Sequence, residues 1–260
     1  MPFSILPTEL RQMVIAEVIT TPFPPPSAPS EVRSENWLYP HEENMRRHSH
    51  AHMGEIECNP AIAFNTQGPW GNQHLPLLLV NKSFRADTEN VLGRIGRRIP
   101  PILDVMLERN GDFKATWLLV PPSTAPETEH LNINIRTLGC MKIFGAEGSR
   151  NVPFKRNANV SIDRLLQRIT SIGLSPYAKD REVHGTEIRK LRITVVVPED
   201  MKDEEGERAP LATRLSEYLS LGHFGDLSQK IDAIEIFVDD CRAYAFSNEK
   251  GYFKLEWSHK

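Results

Sequence analysis

Apolar positions recur at helical spacing twice in the first hundred residues. In LPLLLVNKSFRADTENVLGR, Leu77, Val80, Phe84, Thr88 and Val91 fall on one face, while Asn81, Lys82, Arg85, Asp87 and Glu89 fall largely elsewhere. That pattern predicts one amphipathic helix from Leu75 to Arg94, stopped by Gly93, which can take the left-handed conformation that closes a helix. In LPTELRQMVIAEVI, Leu6, Leu10, Val14 and Val18 stand about one turn apart. A first helix is expected there, opened by Leu6-Pro7-Thr8-Glu9 and running to about Ile19. The two apolar stripes are expected to pack together.

Between the two, from Thr20 to His74, proline, serine, histidine and charge follow one another without a sustained apolar period. This is the composition of a long mobile insertion, with Trp37, Tyr39 and Trp70 as local anchors. Beyond Pro100-Pro101, ILDVMLERNG predicts a short helix stopped at Asn110-Gly111. The period then changes. Ala115 to Val120 is a short apolar run, and Leu131 to Arg136 alternates with period two, so both predict strands. A helix opening at Ser161, with Leu165, Leu166, Ile169 and Ile172 as its stripe, should close at Gly173.

Leu191 to Val197 is β-branched and predicts a buried strand, followed by an acidic loop from Glu199 to Arg208. Pro210 opens a further helix with Leu211, Leu215 and Leu219, stopped at Gly222. Ala233 to Val238, Cys241 to Phe246 and Tyr252 to Trp257 complete the strands, the last two joined by a turn from Ser247 to Gly251. Strands alternating with helices predict an α/β fold with a parallel or mixed sheet, an α+β arrangement being the alternative. Residues 1–99 are therefore assigned to a small helical module carrying the insertion at about 20–74. Residues 100–260 are assigned to a partner-binding α/β domain.

Charge and cysteine content narrow the function classes. Lys+Arg 31 against Asp+Glu 34 gives a net charge of -3, so no global field favours nucleic acid or an anionic membrane. Cys58, Cys140 and Cys241 are odd in number and contain no CxxC pair, which fits a reducing intracellular compartment, cytoplasmic or nuclear. Glu9, Arg11 and Glu17 interrupt the first twenty residues, so no secretory signal is expected there. No apolar run approaches the ~20 residues needed to span a bilayer, and no membrane association is expected.

Candidate chemistry is sparse. His48, His50 and His52, with Cys58 following, have metal-ligand types, but in a mobile insertion nothing would orient the rings, so no metal or other cofactor is expected. Gly93-Arg94-Ile95-Gly96-Arg97-Arg98 lacks the lysine and hydroxyl ending of a phosphate loop. Asp239-Asp240 reads as a turn, and Ser247-Asn248-Glu249-Lys250 matches SxxK without its companion motifs. Trp117, Phe237, Phe246, Phe253 and Trp257 sit in strand patterns without regularly interleaved basic residues, so sheet core is expected rather than a stacking platform. No catalytic residue is assigned. The enzyme alternative would need a pocket joining His130, His184 or His223 with Asp239.

Leu6, Pro7, Glu9, Leu10 and Val14, followed after the insertion by Val80, Lys82, Phe84 and Arg85, give the N-terminal third a resemblance to the F-box-like proteins of filamentous fungi. In that family a leucine-proline start and first helix precede a second helix with the signature Val-x-Lys-x-Trp-Arg; here Phe84 takes the aromatic position. The resemblance implies a non-enzymatic protein–protein interaction protein whose helical module docks on the adaptor subunit of a cullin–RING ubiquitin ligase. It implies Leu6, Pro7, Leu10, Val14, Val80 and Phe84 as the docking residues, with the C-terminal domain choosing a substrate. A plain structural scaffold is the remaining alternative.

Overall fold

A computed structural model describes residues 5–39, 62–67, 75–95, 98–108, 112–120, 127–137, 152–174, 185–196, 213, 216, 225–239, 241–249 and 252–258. Among the described residues nine strands form one mixed sheet: β1 (Trp37–Leu38), β2 (Ile62–Asn65), β3 (Ile102–Leu107), β4 (Phe113–Leu119), β5 (Glu127–Thr137), β6 (Glu187–Val196), β7 (Ile231–Val238), β8 (Cys241–Glu249) and β9 (Tyr252–Ser258). Their order is β1-β2-β4-β3-β5-β6-β7-β8-β9. Helices with described bounds are α1 (Thr8–Thr20), α2 (Leu75–Val80), α3 (Lys82–Ile95) and α4 (Val152–Ile172). The chain has an α/β fold.

Strands β3, β5, β6 and β7 run parallel, and their inward side chains meet in register: Leu103, Ile133, Ile193 and Ile236 form one row, and Val105, Ile135, Val195 and Val238 the next. From α4, Ile162, Leu165, Leu166 and Ile169 close the core over these rows, each burial stabilising the fold by roughly 1.5–3 kcal/mol. Gly173, at φ 102°, ends α4 as expected, its N–H reaching the Ile169 carbonyl at 3.0 Å. Adjacent parallel strands joined through a helix demand a crossover, and successive right-handed crossovers in one direction put their helices on one face. Thr213 and Ser216, the described residues of the helix expected from Pro210, are helical. The hydroxyl of Thr213 lies 3.1 Å from that of Tyr244, which packs on the same core.

Several expectations change. ILDVMLERNG holds strand β3, not a helix. The stretch expected as an insertion supplies β1 and β2; β1 pairs with β2 and β2 with β4, so the sheet begins inside the N-terminal hundred residues; residues 40–61 and 68–74 lie outside the described residues. Helix Leu75–Arg94 is two helices with Gly93 inside the second. Asn81 divides them, its Oδ1 accepting the Phe84 N–H at 2.9 Å as a side-chain cap. Ser247 to Glu249 also belong to β8 rather than to the turn after it.

Gly185 marks a close approach of the lead into β6 to α4. A methyl there would overlap the Thr170 carbonyl, which is helix backbone and cannot yield cheaply. Gly185→Ala is therefore expected to lower unfolding stability in a urea titration by about 1–3 kcal/mol, the usual cost of overpacking. An unchanged midpoint would show that β6 does not enter the sheet over α4.

Candidate functional site

Helix α1 is apolar on two neighbouring strips. Arg11, Ile15 and Ile19 recur every four residues on the inner one. Ile15 and Ile19 are buried with Val91, Ile99 and Leu119, and partly buried Leu77, Phe84 and Leu92 pack around them. Arg11 Nε donates to Asp87 Oδ2 of α3 at 2.7 Å, and Nη1 donates to the Leu6 carbonyl at 2.8 Å, so one side chain fixes both the start of α1 and its roll against α3. At 3.6 residues per turn, Leu10, Val14 and Val18 lie about a quarter turn away. They are 47%, 44% and 46% exposed, and Met13 beside them is more exposed still. Leu79 and Val80 at the end of α2 are also exposed.

Sequence periodicity therefore found both helices but paired the wrong strip of α1 with α3. The face expected to pack on α3 is the open one, and the residues that do pack, Ile15 and Ile19, were not singled out. Among the docking residues implied by the resemblance, Pro7, Leu10, Val14 and Val80 are exposed, while Leu6 and Phe84 are half-buried. Phe84 packs inward against the cluster between α1 and α3, so it is not part of the open strip. Met13 and Leu79 are additional exposed apolar positions that the family pattern does not name.

A second, polar surface lies on the sheet face opposite the core rows. Where β3 enters it, Asp104 is 1% exposed and takes Arg136 Nε at 2.8 Å and Nη2 at 2.6 Å, while Nη2 also donates to the Pro26 carbonyl. Burial pushes the Asp104 carboxyl above its usual range, against the opposing pull of the Arg136 hydrogen bond and charge. Val32, Trp37, Ala63 and Met106 form a small apolar cluster on this side. From β5 onward the face carries half-buried Asn132, Asn134, Lys190, Arg192, Thr194, Glu235 and Phe237, with Arg242 and Trp257 more exposed.

Of the remaining candidates, His48, His50, His52, Cys58, His184, His223, Asp240 and Lys250 lie outside the described residues. His130 is exposed near the start of β5, whereas Asp239 follows the end of β7, so the sheet holds these two at opposite ends. Among the described residues no three His, Cys, Asp or Glu side chains gather as a metal site. Trp117, Phe246 and Phe253 are core, as expected, but Trp257 is 41% exposed and Phe237 half-buried on the polar side. No described helix is long and apolar enough to cross a membrane. Neither a family model, a curated protein nor a solved structure matches the chain.

Proposed function

We propose that this is a non-enzymatic protein-interaction protein whose α1 docks on the adaptor subunit of a cullin–RING ubiquitin ligase, in the manner of the F-box-like proteins it resembles. In this proposal the α/β sheet domain presents the second partner. One observation carries the reading: Leu10, Met13, Val14 and Val18 remain open to solvent along a helix that already buries Ile15 and Ile19 beside them. A contiguous apolar strip on a rigid, well-anchored helix is what a partner can desolvate at the centre of an interface.

The double variant Pro7→Ala/Leu10→Ala tests it. Both side chains are exposed, so stability should change by less than ~0.5 kcal/mol. Retention of purified adaptor by the immobilised chain should fall at least about tenfold, the equivalent of roughly 1.4 kcal/mol for anchor residues at an interface. Failure of the wild-type chain to retain the adaptor ends the ligase reading. A large loss of stability in the variant would instead make the strip part of the scaffold.

A further inference from the structure

The sheet face away from α4 interleaves cations with aromatic rings. The Arg192 guanidinium carbon lies 3.8 Å from the Phe237 ring centroid, and that of Arg242 lies 5.4 Å from the Trp257 centroid. Glu235 stands between them, with Lys190 Nζ at 2.9 Å and Arg242 Nη2 at 3.4 Å from its two oxygens. Among the described residues no carboxylate pairs with Arg192, so three cations surround one acid. Asn132 is in register with Arg192, and Asn134 with Thr194, which adds amide and hydroxyl groups to the same face. No described helix covers it beyond β5, because α4 and the helical turn at Thr213 both lie on the core side.

We infer that this face binds single-stranded nucleic acid. Lys190, Arg192 and Arg242 supply the positive charge for phosphates, and the Arg192–Phe237 and Arg242–Trp257 stacks present planar surfaces to unpaired bases. The excess of positive charge calls for an anion. An acidic peptide would satisfy the charge but has no use for two guanidinium–aromatic stacks, one of them built on a tryptophan 41% exposed. A duplex hides its base faces and would reach only the cations.

The inference departs from the sequence expectation, which rested on the net charge of -3 and on the lack of basic residues alternating with aromatics along the chain. Strand pairing alternates them in space instead: Arg192 of β6 covers Phe237 of β7, and Arg242 of β8 covers Trp257 of β9. Contact with about three phosphates gives a modest salt dependence. Affinity should fall roughly tenfold to twentyfold between about 50 and 200 mM salt.

Fluorescence anisotropy of a short labelled oligouridylate titrated with the full chain tests the site, with a duplex of equal length and a polyglutamate peptide as competitors. The oligouridylate should bind, quench Trp257-dependent fluorescence and resist both competitors. Arg192→Ala/Arg242→Ala should weaken binding at least about tenfold, beyond the loss of one anchoring contact. Arg192→Lys/Arg242→Lys keeps the charge without the planes and should recover only part of it. Circular dichroism melts of both variants confirm folding, and the Trp257 quench in the wild type stands even where a variant does not fold. Absence of wild-type binding at low salt, equal binding of the duplex, displacement by polyglutamate, or a folded double-alanine variant with unchanged affinity would each overturn the inference.

Discussion

Val195→Asp is expected to leave the chain largely unfolded at neutral pH. Val195 is 1% exposed and sits in the row with Val105, Ile135 and Val238. Its β6 neighbours are parallel strands on both sides, so no edge lets water reach an introduced carboxylate. A charge there must be desolvated or neutralised by taking up a proton, and the lost valine contacts add a packing deficit. The combined cost of about 4 kcal/mol or more is a large share of the 5–15 kcal/mol that stabilises a typical domain. Glu17→Ala, on the exposed side of α1, should stay within ~0.5 kcal/mol of wild type. Equal denaturation midpoints for the two variants would show that β6 is not central.

The strands that were legible in the sequence are those with one buried face. Along β5, Leu131, Ile133 and Ile135 are buried while Asn132, Asn134 and Arg136 are half-buried, and period two survives in the letters. In β3 that contrast is lost. Leu103, Asp104, Val105, Met106 and Leu107 are all buried, because core rows lie on one side and the Val32–Trp37 cluster and the Pro26–Arg136 contact on the other. Apolar residues at Ile102, Val105 and Met106 then imitate helical spacing. Strand β2 has the same difficulty in four residues: Ile62 to Asn65 are buried throughout, and their pairing to β1 and β4 is tertiary.

The candidate docking strip was half legible for a related reason. Periodicity shows that a helix is amphipathic, but α1 carries two apolar strips, and which of them faces inward is set by tertiary contacts, the packing of Ile15 and Ile19 and the reach of Arg11 to Asp87 in α3. That ion pair spans 76 positions and leaves no local trace. The break at Asn81 is equally hidden, since apolar spacing continues across it while the side chain caps the next helix. The polar sheet face was missed because its stacks join residues on different strands; nothing in the order of letters places Arg192 on Phe237.

Arg136→Met should destabilise the protein by about 3–5 kcal/mol at neutral pH, the cost of stranding a buried partner, and the loss should shrink in acid. Asp104 has a folded pKa raised above its ordinary value of 3.8 by burial, with Arg136 holding it down. For a group raised in this way, the folded state binds the proton more tightly. Its contribution to stability is therefore complete below the unfolded pKa and is lost as pH rises through the folded pKa. Removing Arg136 leaves burial unopposed, so the folded pKa climbs further and the loss extends to higher pH. Urea titrations should show the gap between wild type and variant widest at neutral pH and narrowing in acid, as Asp104 takes up its proton. Part of the gap should persist there, because the Pro26 carbonyl has also lost its donor. Asp104→Leu/Arg136→Met should recover most of the neutral-pH loss, since paired apolar replacements remove the buried charge with its partner. A gap independent of pH would mean that Arg136 acts through packing and the Pro26 contact alone.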